Sequence, residues 1–405
     1  MKDAVLEKRL GDVVDVQSGF AFKSSEYSDS GHFLIRIANV QDGYLSLEKP
    51  KYVALNAKTK RFELRAGDIL TSLTGNVGRV AKVEPEHLPA ALNQRVARLV
   101  PKPDAGIDAQ YLLRFLHSSA FSGFLEERAH GAAQANVSPS VIGEIPIPLP
   151  PLEEQQRIVA VLDEAFEGLA RARVHAEANL QNARELFERQ LGEYFSDTPK
   201  EWLSRKLKQI TSKIGSGATP RGGAGAYKNE GISLIRSLNV HDRWFKEDKL
   251  AFIDDEQADK LSNVVIDERD VLLNITGASI ARCCVAPSGF LPARVNQHVQ
   301  IIRPDHDVLS PEFLTLMLTS QPYKDGLLKT GEDNGSTRQA LTKALIQNLE
   351  VAFPPELVQQ EAAVATLEAA ETKSKELAEA YQAKIHDLDD LRQSLLQKAF
   401  AGELT

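Results

Sequence analysis

Several stretches of this sequence hold residue types that could do chemistry, and each fails on spacing. The loop "GSGATPRGGAGAY" (215–227) has the glycines of a phosphate cradle. It lacks both the GK[ST] of a P-loop and a GxGxxG between strand and helix, so it reads as a turn. "DEAF" (163–166) matches a helicase box but lies inside a helical pattern with no Walker lysine, and reads as a solvated acidic face. "PDAGID" and "PDHDVL" open like a nuclease PD motif without the following acid-x-Lys. "FPPE" (353–356) approaches the tetrapeptide with which amino-methyltransferases hold a flipped base, but it opens a helix. No GxSxG or HExxH is present, and no glycine cluster suits S-adenosylmethionine. Cys283 and Cys284, the only cysteines, are adjacent and cannot build a disulfide framework. They read as small strand residues in a reducing, cytoplasmic setting. The nine histidines show no zinc spacing. The expectation is a binding protein that is not itself an enzyme and that holds no metal or cofactor.

The elements that would position binding residues are written twice. With an offset of 200 to 204, "FLIRIANVQDG" (33–43) meets "SLIRSLNVHDR" (233–243), and "AGDILTSLTGNVGRVAKV" (66–83) meets "ERDVLLNITGASIARCCV" (268–285). "LNQRVARLVP" (92–101) meets "VNQHVQIIRP" (295–304), and "IPIPLPP" (145–151) meets "LEVAFPP" (349–355). The order is kept, and a period near 200 is too long for a solenoid, so the chain is a duplicated domain. In each copy β-branched runs ending in Gly or Pro read as strands. "DAQYLLRFLHSSAF" and "SPEFLTLMLTSQPY" read as capped helices. The fold class is α+β.

Each copy ends in a proline pair followed by a long apolar-periodic run. Ile158, Leu162, Ala165, Leu169, Ala172 and Ala176 step by four and three, with a stutter before Leu180, Ala183, Phe187 and Tyr194. Leu377, Tyr381, Ile385, Leu388, Leu391 and Leu395 make a similar stripe. A helix of about 40 residues spans on the order of 60 Å and needs a partner for its stripe. The simplest partner is the other arm, in an antiparallel coiled coil. The expected layout is a globular domain over 1–150, a helix over 151–197, a second domain over 198–354 and a second helix over 355–405.

The net charge of −8 is concentrated in the arms. Residues 152–195 carry 5 basic and 9 acidic side chains, and residues 354–405 carry 5 and 10, while both globular segments are near neutral. No run approaches a signal peptide or a membrane span, so no membrane partner is expected.

"SGFAFKSSEY" (18–27), "LTGNVGRVAKV" (73–83), "IPIPLPPLEEQQRIVAVLDE" (145–164), "SGATPRGGAGAY" (216–227) and "LRQSLLQKAFAGEL" (391–404) together resemble the specificity subunit of type I restriction–modification systems. The resemblance spans essentially the whole chain. It implies two target recognition domains, each reading one half of a split site in double-stranded DNA, with the helices as spacers. It further implies docking of two methyltransferase subunits and of restriction subunits with translocase and nuclease activity. S-adenosylmethionine, ATP and Mg2+ would then sit on those partners. A related system with a fused nuclease-methyltransferase partner, or a coiled-coil scaffold without DNA readout, are the alternatives.

Direct readout uses Arg or Lys for guanine, Asn or Gln for adenine, and Ser or Thr as adaptable groups. The candidate DNA-binding residues are Lys23, Arg36, Thr74, Asn76, Arg79 and Arg95 in the first copy. In the second they are Thr219, Arg221, Arg236, Thr276, Ser279, Arg282 and Arg294. Asn39, Asn239 and the pairs Asn93–Gln94 and Asn296–Gln297 recur in both copies. Shared residues suit structure or phosphate better than base selection. Thr337, Arg338 and Gln339 precede a helix, where capping explains the threonine. Gln155, Gln156, Arg157, Gln359 and Gln360, which open the arms, are the candidate partner-binding residues. Glu361 stands where Arg157 would repeat, so the arms are not expected to dock partners identically.

Overall fold

The computed structural model describes residues 6–129, 136–220, 222–332 and 340–404. Two compact units divide the chain: residues 1–177 with 383–405, and residues 178–382. The division falls inside both arms, so each arm gives one part to each unit.

Both units repeat one architecture. In the first, an antiparallel sheet runs in the order Val14–Ser18, Val96–Pro101, Ile69–Ser72, Val80–Lys82. A second sheet contains His32–Ile35 beside Ala90–Leu92, paired in parallel. The second unit repeats the first sheet as Thr211–Ser216, Val299–Pro304, Val271–Asn274, Cys283–Val285. It repeats the parallel pair as Ile232–Ile235 beside Ala293–Val295. The same salt bridge braces both sheets: Arg98 to Asp68 at 3.1 Å and Arg303 to the fully buried Asp270 at 2.8 Å.

Glycine is required where each first strand leaves its sheet. A Cβ on Gly19 would lie 2.2 Å from the Leu92 carbonyl oxygen, and one on Gly217 would lie 1.7 Å from that of Val295. Only a residue without a side chain lets the loop pass there. The Ser-Gly pairs of "SGFAF" and "SGATP" therefore open loops by steric necessity.

The first arm is the helix Leu152–Ser196 and the second is Leu357–Phe400. In the first unit, Ile158 and Leu162 share a buried cluster with Leu396 and Ala399, beside Tyr111 and Phe115 of the helix Ala109–Leu116. Further along, Arg173 reaches Asp389 at 2.5 Å. In the second unit Phe187, Leu191 and Phe195 share a cluster with Val364 and Leu367, and the Ser374 hydroxyl donates to the Ala183 carbonyl at 2.5 Å. In each unit the arm segments run antiparallel.

The seam of the second arm differs from the expected stripe. Leu377 and Leu391 are 41% and 48% exposed. The inward positions step by threes and fours through Val364, Leu367, Glu371, Ser374, Ala378, Tyr381, Ile385, Leu388, Arg392, Leu395 and Ala399. The register follows a heptad even where it places Ser, Glu and Arg inward. Small Ala183 and Ser374 let the backbones close enough for a hydroxyl-to-carbonyl bond.

Candidate nucleic-acid interface

In the first unit the strand Ile69–Ser72 runs into the turn 73–79, where Gly75 and Gly78 take positive φ of 74° and 83°. Buried Ser72 closes the turn: its amide donates to the Arg79 carbonyl at 3.0 Å, and its hydroxyl accepts from the Arg79 amide at 3.1 Å. Arg79 then reaches a second loop, donating from Nη1 to Gln41 Oε1 at 2.7 Å. That loop is closed by an antiparallel bridge between Val40 and Leu45, and it leaves Tyr44 60% exposed.

The second unit builds the same place with other side chains. Asn274 replaces Ser72; its amide donates to the Arg282 carbonyl at 2.8 Å, and its side-chain amide donates to the Ser237 carbonyl and the Ser279 hydroxyl. Arg282 donates from Nη1 to His241 Nδ1 at 3.4 Å. His241 stacks on Trp244, with ring centroids 4.2 Å apart and planes 17° off parallel, and Trp244 is 53% exposed. The hairpin of Val240–His241 and Trp244–Phe245 is the counterpart of the 40–45 loop.

The strand register makes Arg79 and Arg282 equivalent. Thr71 pairs with Val80, and Leu273 pairs with Cys283, so one extra residue sits in the second turn. At the constant offset that matches Thr74 to Thr276, Arg282 falls opposite Val80 instead.

In the first unit the polar residues are split between two clefts: Arg79 lines one with Asp42 and Asn76, and Thr74, Arg95 and Asn136 line another, where the Thr74 hydroxyl donates to Asn136 Oδ1 at 2.9 Å. In the second unit Arg282 lines one cleft with Thr276, Ser279, His298, His241 and Lys246. The Gln297 amide donates to His298 Nε2 at 3.1 Å. On its other side, His298 Nδ1 lies 2.6 Å from the Thr276 hydroxyl. Thr219 hydrogen-bonds Gln297 across the cleft mouth. The second-unit cleft is a set of short polar side chains on a rigid strand end beside an arginine and, through His241, the exposed Trp244 ring. Such a surface can meet base edges and stack on planar groups.

The family model for "Type I restriction modification DNA specificity domain" matches residues 2–174 and again residues 199–386. The chain belongs to that family. It is 23% identical to the Escherichia coli type I restriction enzyme EcoBI specificity subunit over 100% of this chain and 87% of that protein. It is 34% identical to the MjaVIII specificity subunit of Methanocaldococcus jannaschii, over 36% of each chain. Two solved structures share the fold. One, from work on assembly and conformational transition of the type I R-M system, has a TM-score of 0.69 at 22% identity over 98% of both chains. The other is the HsdS subunit of Thermoanaerobacter tengcongensis, with a TM-score of 0.61 at 20% identity over 98% of this chain and 97% of that one.

The candidate residues of this specificity chain divide by what their side chains hold. Lys23, Asn76 and Arg95 are exposed, while Thr74, Arg79, Thr219, Thr276, Ser279 and Arg282 are half-buried. Arg221 lies outside the described residues, as do Thr337, Arg338 and Gln339. Arg36 and Arg236 brace loops identically, each donating from Nη2 to a lysine carbonyl, Lys49 at 3.0 Å and Lys249 at 2.5 Å. Asn39 and Asn239 are fully buried and tie the same loops. Asn93 and Asn296 are buried and cap the turns that carry Arg95 and His298.

Three expectations are corrected. Arg294 is 9% exposed, and its guanidinium is spent on the carbonyls of Ala258 and Ala293, so it cannot reach DNA. Gln155 and Gln360 are fully buried and cannot dock a partner. Gln155 donates to the Gly106 and Pro150 carbonyls at 2.7 and 2.8 Å and accepts from the Asp108 amide at 2.8 Å. Gln360 repeats all three bonds, to the Val308 and Pro354 carbonyls and from the Ser310 amide. Asp108 and Ser310 are the N-caps of the helices Ala109–Leu116 and Pro311–Thr319. Each glutamine thus staples the start of an arm to the start of a domain helix. Gln156, Arg157 and Gln359 are exposed.

Sequence reasoning missed Gln41, Tyr44, Asn136, His241, Trp244 and His298. A signal existed: the repeated segment continues as "NVQDGY" and "NVHDRW", placing an aromatic residue at the same position of both copies.

Among the described residues, no helix is long and apolar enough to cross a membrane, and no group of His, Cys, Asp and Glu could hold a metal ion.

Proposed function

We propose that this specificity chain reads a split, asymmetric DNA site, one half with each globular domain, and that the paired arms set the unread distance between the halves. The observation that carries the reading is the duplicated constellation around Arg79 and Arg282. The arginine is common, while its partner changes from Gln41 to His241 and the exposed ring from Tyr44 to Trp244. One scaffold presenting different side chains at one place is what two readers of different base sequence require. Arginine suits guanine, and the neighbouring Thr, Ser, Asn and His supply adaptable donors and acceptors. The chain supplies no chemistry of its own in this reading. Methyltransferase subunits docked on the exposed arm starts, around Gln156, Arg157 and Gln359, carry S-adenosylmethionine. Restriction subunits carry ATP and Mg2+. The setting is the cytoplasm.

The test uses the chain with its methyltransferase partner. The methylated site is first mapped by sequencing the DNA of cells with and without this gene. Arg79→Ala should then reduce kcat/KM on that site about 10- to 100-fold and relax base preference in one half only, and Arg282→Ala should do so in the other half. Affinity should fall steeply with salt for both. Uniform relaxation across both halves, or no split site at all, would refute the assignment. A scaffold without DNA readout predicts the latter.

A further inference from the structure

We infer that Arg243 is a positioning residue that locks the reading hairpin of the second recognition domain onto the helical arms. The inference rests on the proposal that Trp244 and His241 face DNA, and it concerns what holds them in place.

Arg243 occupies the corner of the 240–245 hairpin, between the stacked pair His241–Trp244, at a positive φ of 66°. Its amide donates to the Cys283 carbonyl at 2.8 Å, fixing the corner to the sheet. Its side chain leaves the recognition domain. Nη2 donates to Glu188 of the first arm at 2.5 Å, Nε approaches Glu371 of the second arm at 3.4 Å, and the guanidinium covers the Phe187 ring at 4.8 Å. One side chain therefore bridges both arms and the hairpin. The bridge is dry on one side and wet on the other: the Arg243 and Glu371 side chains are 14% and 19% exposed, and that of Glu188 is 53% exposed. Beside it, Asp242 is held by Lys324 at 2.6 Å.

Two observations set this apart from an ordinary surface ion pair. Glu371 lies on the inward seam of the second arm, where a coiled coil alone would favour an apolar residue. A charge there costs stability unless it is paired; Glu371 has Lys375 at 3.1 Å on its own arm and Arg243 at 3.4 Å from the recognition domain. The first domain also lacks the device. Its counterpart of Arg243 is Gly43, also at positive φ (88°), which has no side chain to reach an arm. There the seam of the second arm offers a cation instead: Arg392 covers the Phe166 ring at 5.0 Å and is electrostatically coupled to Asp42, which precedes Gly43. The two hairpin corners thus lie near arm charges of opposite sign, and among the described residues only the second is hydrogen-bonded to the arms.

A reader fixed to the rod enforces one spacing. Slipping by one base pair moves the target about 3.4 Å along the duplex axis, which a hairpin tied to both arms cannot follow.

The test uses the chain in complex with its methyltransferase, on duplexes carrying the mapped site with its native spacer, with one base pair inserted or removed, or with a mismatch in either half. Arg243→Gly copies the other repeat and suits the positive φ, so the hairpin keeps its backbone. Glu371→Gln removes the charge and keeps the volume. Both should reduce discrimination against altered spacers about tenfold, while the penalty for a first-half mismatch stays within about twofold of the parent. The double variant should be no worse than Arg243→Gly alone, because that substitution already removes the contact to Glu371 along with the one to Glu188. Arg243→Lys should recover part of the discrimination. Unchanged spacer discrimination in both single variants overturns the inference. So does a parallel loss of discrimination in both half-sites, which would mark Arg243 as a general stability residue. If the parent complex itself tolerates any spacer, the split-site reading fails first and this inference with it.

Discussion

Replacing Gln360 with alanine removes three hydrogen bonds at once. The Ser310 amide and the Pro354 carbonyl are left without a partner in a buried setting, and the Val308 carbonyl in a half-buried one. A net contribution of about 1 kcal/mol per bond, with more for a stranded buried group, gives a loss of about 4 kcal/mol. Gln155→Ala breaks the matching set, of which only the bond to Pro150 is fully buried, and should cost about 3 kcal/mol. The exposed neighbours Gln156→Ala and Gln359→Ala should each change stability by less than about 0.5 kcal/mol. A two-unit chain need not unfold in one step, so the assay is native-state hydrogen exchange at the Asp108 and Ser310 amides. A loss of about 3 kcal/mol should speed exchange at Asp108 by more than a hundredfold in Gln155→Ala and leave Ser310 unchanged, with the reverse for Gln360→Ala. The staple would be refuted if both variants exchanged like the parent. It would also be refuted if they kept their stability but lost methyltransferase binding, which would return these glutamines to a docking role.

Burial, reinforced by Arg392 and Arg114 and opposed by Asp42, lowers the His117 pKa to about 4. The unfolded chain binds that proton near pH 6.5, so stability should fall as pH drops from about 6.5 to about 4, by on the order of 3 kcal/mol. Denaturation across that range should show His117→Asn lacking this part of the slope. Burial raises the Cys283 thiol pKa and pushes that of Cys284 up to about 12. Neither should react with a thiol reagent at pH 8 until the second unit unfolds, as timed alkylation with mass spectrometry would show. Removing seven facing residues from both arms shortens the rod by about 10 Å. The unread spacer should shrink by about three base pairs with both half-sites unchanged in a methylome, and a changed half-site would refute the ruler.

The duplication and the arms were legible because they rest on signals that a sequence carries openly: repeated order and apolar periodicity. The interface was half legible. Thr74, Arg79, Thr276 and Arg282 stand out as polar residues at strand ends; the structure gathers Thr276 and Arg282 around one cleft, while Thr74 and Arg79 line separate ones. Arg294 misled because an arginine in an alternating strand looks outward-facing, whereas its guanidinium folds back onto backbone carbonyls. Gln155 and Gln360 misled because a glutamine in the first turns of a long helix looks solvated, and only the approach of the domain helix gives it three partners. The equivalence of Arg79 and Arg282 was hidden by one extra turn residue, which moves a side chain without disturbing the strands. The Ser374 seam was hidden because hydrophobicity favours Leu377, while close backbone approach favours a small residue.

The division of the arms between the units bears on how the chain is made. The second unit is one continuous segment, residues 178–382. The first needs residues 383–405, whose Leu396 and Ala399 complete its buried core beside Tyr111 and Phe115. During synthesis the first unit therefore waits for residues 383–405 to leave the ribosome, and the second unit, made before them, can close first. Deleting residues 383–405 should accordingly cripple the first unit and spare the second.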